Sequence, residues 1–391
     1  MAYNIWGPVS WDPDGGRVGY TQQWNLNLQR ELPGQMVLDI GYVGTKSTGL
    51  LANEMRKMNQ IPTSALALGD TLGQWINNDA SVPANVRALG GRYPYGNVGE
   101  WIPMWQTLTP HPTVIYWSDL YSWNSPLGFS NYNALQIQLN KRYSHGIQWL
   151  ANYTFSKTID NMNSAFGDTW GQNAGRPLDY YNLALEKSIS DFDRTHFVKI
   201  GASYEVPIGR KRPLGSSMNR ALDFIVGGWT LQYIGNYSSG QPLGFGATGT
   251  PNSNFATNRA MINNPNGESL KSSSFDPSKF QMNLISTGGV GAHQYLNTSL
   301  ISDTPRYQRG NASRRHSNLR GFAYYFDDSS LQKNFYPIER MRVQFRAEFL
   351  NMFNRHRFTG INTNPAQPQF GQINGVSDDR RQIQFGIRAD F

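Results

Sequence analysis

Over much of this chain apolar and polar residues alternate one for one. The clearest run sets Met341, Val343, Phe345, Ala347 and Phe349 against Arg342, Gln344, Arg346 and Glu348. The last sets Ile383, Phe385, Ile387, Ala389 and Phe391 against Gln382, Gln384, Gly386, Arg388 and Asp390. A period of two places these sets on opposite faces of a β-strand. Earlier segments behave alike, among them Trp24, Leu26 and Leu28; Met36, Leu38, Ile40 and Tyr42; Leu135, Ile137 and Leu139; and Val198, Ile200, Ala202 and Tyr204. The pattern predicts nine strands, near residues 19–31, 35–43, 132–143, 147–156, 194–206, 228–239, 322–336, 340–350 and 381–391. The seventh alternates least cleanly. Each has about the 9–11 residues that a tilted strand needs to cross a bilayer.

The connections alternate too. Tight turns fall at Leu32-Pro33-Gly34, Ser144-His145-Gly146 and Pro337-Ile338-Glu339. Long loops fall at 44–131, 157–194, 240–321 and 351–380. An intermediate loop, 207–227, takes its place among the tight turns, and its stretch from Asn219 to Val226 predicts a short helix. Compact soluble domains rarely carry such loops. Membrane β-barrels do, with short periplasmic turns and long extracellular loops. The predicted fold is therefore all-β: an antiparallel transmembrane β-barrel, partial, made of C-terminal strands with long extracellular loops. Trp24, Trp149, Tyr153, Tyr204, Trp229 and Tyr237 lie toward strand ends on the apolar face, as interfacial girdles do. The rival is a soluble β-sandwich, which would bury the apolar faces against a second sheet.

Nine strands with a periplasmic C-terminus put residue 1 outside the cell. Complete single-chain barrels have an even strand number, and no secretory signal precedes the first strand. The expectation is a C-terminal piece of a longer protein.

Composition changes this picture little. The 391 residues include no Cys, which excludes a disulfide scaffold. Aromatics make up 13%, enough to exclude disorder. Mean hydropathy is −0.53, and no run approaches the roughly 20 apolar residues of a membrane helix. The net charge of +8 is scattered, apart from Arg306, Arg309, Arg314, Arg315 and Arg320. The expectation is that these satisfy loop carboxylates and that nucleic acid is no partner.

Catalytic chemistry is not in view. None of the six His stands at metal-ligand spacing, and there is no nucleophile elbow or P-loop. Gly288-Gly-Val-Gly291 is too short for a dinucleotide fingerprint. The pairs Asp327-Asp328 and Asp378-Asp379 read as loop or rim charges, because adjacent strand residues point apart. The chain reads as no enzyme, with no cofactor and no metal site. The candidates for ligand or partner contact are polar-face residues of the last two strands: Arg342, Arg346, Glu348, Arg388 and Asp390. They could meet a plug or a ligand, or only each other as a charge ladder. The first long loop holds Trp75, Trp101, Trp105, Trp117 and Trp123. These read as loop packing, with a sugar- or peptide-stacking surface as the alternative.

Several stretches in order resemble the C-terminal barrel of Oar-like TonB-dependent receptors. They are residues 132–143, opening Tyr132-Asn-Ala-Leu, and 146–157, opening Gly146-Ile-Gln-Trp. Further along come Asp193-Arg-Thr-His-Phe, Tyr204-Glu-Val-Pro-Ile-Gly209, Gly227-Gly-Trp-Thr-Leu, Ser239-Gly-Gln-Pro242, Gly310-Asn-Ala-Ser, Asn318-Leu-Arg-Gly321, Leu331-Gln-Lys-Asn-Phe335 and the stretch 345–354, opening Phe345-Arg-Ala-Glu. The terminal Phe391 resembles the signal that the barrel-assembly machinery reads. The resemblance implies a receptor or transporter of the bacterial outer membrane, with a plugged barrel of about 22 strands. It implies outer-membrane lipid and lipopolysaccharide as surroundings, and the TonB energy-transducing complex as a partner through an N-terminal part. It also implies a plug domain, and neither that domain nor the TonB-contacting part is among these residues. The substrate would be bulky: an oligosaccharide, a peptide or a protein. A passive porin-like channel and a soluble carbohydrate-binding sandwich are the alternatives.

Overall fold

A computed structural model describes residues 9–10, 16–52, 58–114, 120–121, 125–162, 177–210, 212–247, 258–277, 294–338, 340–377 and 380–391. Nine long antiparallel strands follow one another across a single sheet: β1 (Tyr20–Leu32), β2 (Met36–Ala52), β3 (Ser125–Ser144), β4 (Ile147–Asp160), β5 (His196–Glu205), β6 (Trp229–Ser238), β7 (Tyr324–Ile338), β8 (Met341–Leu350) and β9 (Gln382–Asp390). Spatial order equals chain order, so the sheet is a meander. It is not closed: among the described residues β1 pairs with β2 alone and β9 with β8 alone.

The tight turns explain the hairpins. His145 (φ 53°) and Gly146 (φ 79°) both take positive φ, as do Gly34 (φ 82°) and Gln35 (φ 59°). Two consecutive positive φ values make the turn whose twist matches paired strands. Over most of the sheet the registers set the apolar faces of neighbouring strands against each other. One rung reads Leu28, Ile40, Ile137, Tyr153, Val198, Tyr237 from β1 to β6. Another reads Leu231, Leu331, Ala347, Phe385 from β6 to β9. One apolar face therefore crosses the whole sheet.

That face is open. Leu26, Phe385 and Ile387 are each more than 70% exposed. The other described sheets have two strands each, and none covers it. A soluble sandwich would bury these side chains, so that reading fails, whereas lipid accounts for them. Trp149, Tyr204 and Trp229 line the short-turn margin of the face. Toward the loop margin lie Tyr42, Tyr153 and Tyr237, whose hydroxyls bond to Asn133 (2.7 Å), to the His196 ring nitrogen Nδ1 (2.9 Å) and to Asp327. Trp24 lies flat over Gly44, where any Cβ would strike the indole at 2.2 Å. No described helix is long and apolar enough to cross a membrane.

Two differences from the sequence pattern have physical causes. Strands β2 and β3 run further into the loops than the alternation does, to Ala52 and from Ser125. The β2 extension carries Thr45, Lys46, Ser47 and Thr48 on both faces, and further out Leu50 and Ala52 of β2 and Leu127 of β3 pack against Met162 of a loop. Strand β7 alternates poorly because Asp327 and Lys333 point toward the apolar face. Asp327 is thus no loop or rim charge but a strand residue, buried under the hydroxyls of Tyr233 (2.6 Å) and Tyr237, with Arg355 at 3.4 Å. Lys333 donates to the carbonyls of Asp223 and Phe224 and lies over the rings of Phe224, Trp229 and Phe335. Asp378 and Asp379, the Gly288–Gly291 cluster, and Trp117 and Trp123 lie outside the described residues.

Candidate functional site

Two surfaces meet at the loop end of the sheet: the polar face of the wall and a cap folded from the long loops. On the polar face the five strand candidates fall into two groups, Arg342, Arg388 and Asp390 near the short-turn end and Arg346 with Glu348 further along. Arg342 stands directly opposite Asp390, and Glu348 opposite Gln384. Asp390 accepts from Arg342 (2.7 Å) and from Arg388 (2.7 Å). Glu348 pairs with Arg346 (2.8 Å) and accepts from the Gln384 amide. One ion pair, Arg342–Asp390, crosses between strands, and the other two lie within β8 and within β9. Arg342, Arg346 and Arg388 remain about half exposed or more, so the pairs still present guanidinium groups to the space beside them. Phe391 is 92% exposed and ends the last strand.

The cap has cores of its own. In the first loop Ile61, Leu72, Val86, Met104, Trp105 and Leu108 pack together, and Tyr307 from the loop after β6 joins them. Gly73 makes room for that tyrosine, because a Cβ there would meet its hydroxyl at 2.3 Å. Among the described loop tryptophans Trp105 is buried, at 2% exposure, while Trp75 and Trp101 are half exposed or more. The second core joins two loops: Phe245, Tyr295, Leu296 and Ile301 with Phe370 and Ile373.

Buried ion pairs tie the loops together. Arg314 bonds the Asp160 carboxylate, Arg315 that of Asp191, and Arg320 that of Asp193 (2.6 Å). Arg309 bonds Asp179, which also accepts from Gln60 (2.9 Å) and Thr63 (3.1 Å), so one carboxylate holds three loops. Arg259 pairs with Glu186, both nearly inaccessible. The arginine cluster in the sequence thus satisfies loop carboxylates, while Arg306 lies over the Tyr307 ring. The individual partners had no local signal, being 124 to 154 residues away for Arg314, Arg315 and Arg320. Burial draws the Arg259 pKa down, and the Glu186 carboxylate opposes the change. His316 lies within this layer, packed on Phe245. Burial, then the charges of Arg259 and Arg315, pushes its pKa down to about 4. A cavity of about 740 Å³ opens between these loops, lined by Lys157, Lys187, Glu268, Arg315, His316 and Asn318 among others. Among the described residues no three His, Asp or Glu side chains form a metal-binding group.

Comparison with known proteins adds a family. The model described as "Outer membrane beta barrel domain" matches residues 6–384. No curated protein matches the sequence. Similar solved structures include the outer membrane transporter YddB from Escherichia coli, at 6% identity, TM-score 0.42, covering 99% of this chain and 34% of that one. Another is the ferric-catecholate import receptor Fiu from E. coli K12, at 8% identity and TM-score 0.37, covering 98% and 30%. A third is the ferripyoverdine receptor of Pseudomonas aeruginosa, at 10% identity and TM-score 0.36, covering 100% and 30%. The chain spans about a third of the length of these structures.

Proposed function

The chain belongs to the outer membrane beta barrel domain family, and from that premise we propose that it forms the C-terminal wall and loop cap of an Oar-like, TonB-dependent transporter for a bulky substrate. Its place is the outer membrane. The observation that carries the proposal is the open meander: an exposed apolar band outside, a polar charged face inside, and two unpaired edges, β1 and β9. Unpaired backbone groups are costly in lipid, so both edges call for further strands. Nine strands with such tall loops suit a wide barrel better than a small closed one. The Oar-like motifs, read residue by residue, support a plug and a TonB-contacting segment upstream in the parent protein. In that assembly Arg342, Arg346, Glu348, Arg388 and Asp390 would face the plug or the passing substrate. Phe391 would be the mark that the barrel-assembly machinery reads. The cap would contact substrate from outside, with Trp75 and Trp101 among its exposed aromatics. Lipid and lipopolysaccharide would surround the wall, and Lys157, Lys187 and Arg315 stand where outer-leaflet phosphates would lie.

The test uses the full gene product. Outer-membrane fractionation, with protease added to intact cells, should give cleavage within 53–124 or 239–323. Uptake of a bulky oligosaccharide or peptide should stop when the proton-motive force is collapsed. A soluble, uncleaved product would sink the placement. Uptake that persists without energy would replace the gated transporter with a passive channel.

A further inference from the structure

The segment 206–228, at the short-turn end of the wall, has no part in the cap or the polar-face ion pairs. It sets the helix Arg220–Val226 against the apolar face of β7. Asn219 caps the helix by accepting from the Leu222 N–H (2.8 Å). Phe224 packs on Phe335 at 4.9 Å between ring centroids, Trp229 donates to the Ile225 carbonyl (2.9 Å), and Lys333 donates to the carbonyls of Asp223 and Phe224. The helix is thereby fixed, yet none of its residues is buried. Leu222, Phe224 and Ile225 are 46%, 64% and 65% exposed. In water this exposure forfeits much of the stabilisation that burying such side chains returns. Their exposed surface continues the apolar band of β6 and β7, which faces lipid.

Cations flank this patch. Arg210 and Arg212 stand in the turn before the helix, and Arg220 opens it. The nearby carboxylates are already engaged. Glu205 takes Arg212 (3.0 Å) and the Tyr143 hydroxyl (2.8 Å), and Asp223 accepts the Arg210 backbone N–H (2.7 Å). The guanidinium groups of Arg210 and Arg220 have no ion-pair partner among the described residues. A cavity of about 530 Å³ separates turn from helix, lined by Arg210, Arg212, Asp223, Phe224, Lys333 and Phe335 among others, with Arg220 outside it at the start of the helix.

We propose that this cavity and helix bind an anionic glycerophospholipid of the periplasmic leaflet. Arg210 and Arg220 hold the phosphate, and acyl chain lies over Leu222, Phe224 and Ile225. Guanidinium recognises phosphate through paired donors, and an apolar helix flanked by cations suits the headgroup boundary. The inference rests on the outer-membrane placement, with the short turns in the periplasm.

The test is native mass spectrometry of the full gene product, titrated with phosphatidylglycerol or phosphatidylethanolamine. We expect phosphatidylglycerol to be retained about tenfold better. Arg210→Glu with Arg220→Glu should abolish that preference while the folded barrel keeps its heat-modifiable migration on gels. If the double reversal fails to fold, Arg210→Gln with Arg220→Gln provides the same reading. Phe224→Asp should weaken retention of both lipids. Equal retention of the two lipids, preferential retention of lipopolysaccharide, or dimers formed through the helix without lipid would each overturn the proposal. Absence of the wild-type protein from the outer membrane would instead overturn the placement on which it rests.

Discussion

Wall and cap are built from the same chain by opposite rules. Hardly any large apolar side chain of the wall is buried within the protein: on its apolar face the small Ala347 and the polar Asp327, Ser329 and Lys333 are shielded, while Leu26, Phe385 and Ile387 stand open. The cap buries Trp105, Leu72, Met104, Leu296 and Ile373 almost completely. It also buries charge, in the pairs Arg314–Asp160 and Arg259–Glu186. The difference is one of solvent. The wall relies on lipid to cover its apolar band and on cross-strand backbone bonds to hold it together. The cap stands in water and must make its own interior. One sequence therefore carries two hydrophobicity patterns: strict alternation in the strands, and scattered apolar residues in the loops.

Four perturbations would break or sharpen this contrast. The largest effect belongs to the cap. Arg314→Ala strands Asp160 without its partner and should cost the cap about 3–5 kcal/mol. Protease cleavage within 239–323 on intact cells should rise sharply while the strands stay protected. Next comes the wall: Phe345→Arg places a charge on the lipid-facing band and should cost about 2–4 kcal/mol in lipid. Urea unfolding in liposomes reads it, and unchanged stability would reverse the assigned facing.

A smaller effect follows from His316. Its folded pKa of about 4 lies below its ordinary value near 6.5, so the unfolded cap binds more protons between those values. Cap stability should be at its full value above pH 6.5 and fall by at most ~3 kcal/mol as the pH drops to 4, with no further loss from this group below that. His316→Phe should flatten that part of the profile, measured by pH-dependent proteolysis. The smallest effect belongs to the polar face. Arg342→Gln removes an exposed pair, and the denaturation midpoint should not move. A shift in substrate uptake by the full protein would then mark Arg342 as a contact residue rather than an ion-pair partner alone.

Much of the wall was legible because a strand's period is local. Residues such as Phe345 and Arg346 declare their faces to their immediate neighbours. Where the period failed, a side chain had long-range business: Asp327 waits for Tyr233 and Tyr237, and Lys333 for the helix Arg220–Val226. The extensions of β2 and β3 were invisible because they leave the lipid-facing band and pack against the loops, where Ala52, Leu50 and Leu127 meet Met162 and no alternation is imposed. In the cap, a cluster of arginines was visible but its partners were not. No local rule connects Arg314 to Asp160, 154 residues away. Nor did composition separate Trp105, which fills a core, from Trp75 and Trp101, which do not.

The arginine clasp has a consequence for life at the cell surface. A protein there cannot regulate the medium it meets, which ranges from dilute water to brine. Exposed charge pairs, such as Arg87 with Asp79, weaken as external salt rises. The clasp pairs at Arg314 and Arg259 lie below the reach of that screening. With no cysteine in the chain there is no disulfide to reduce either. The outer face of this molecule should therefore keep one shape across changes in salinity and redox state that would loosen a surface held by exposed charges or disulfides.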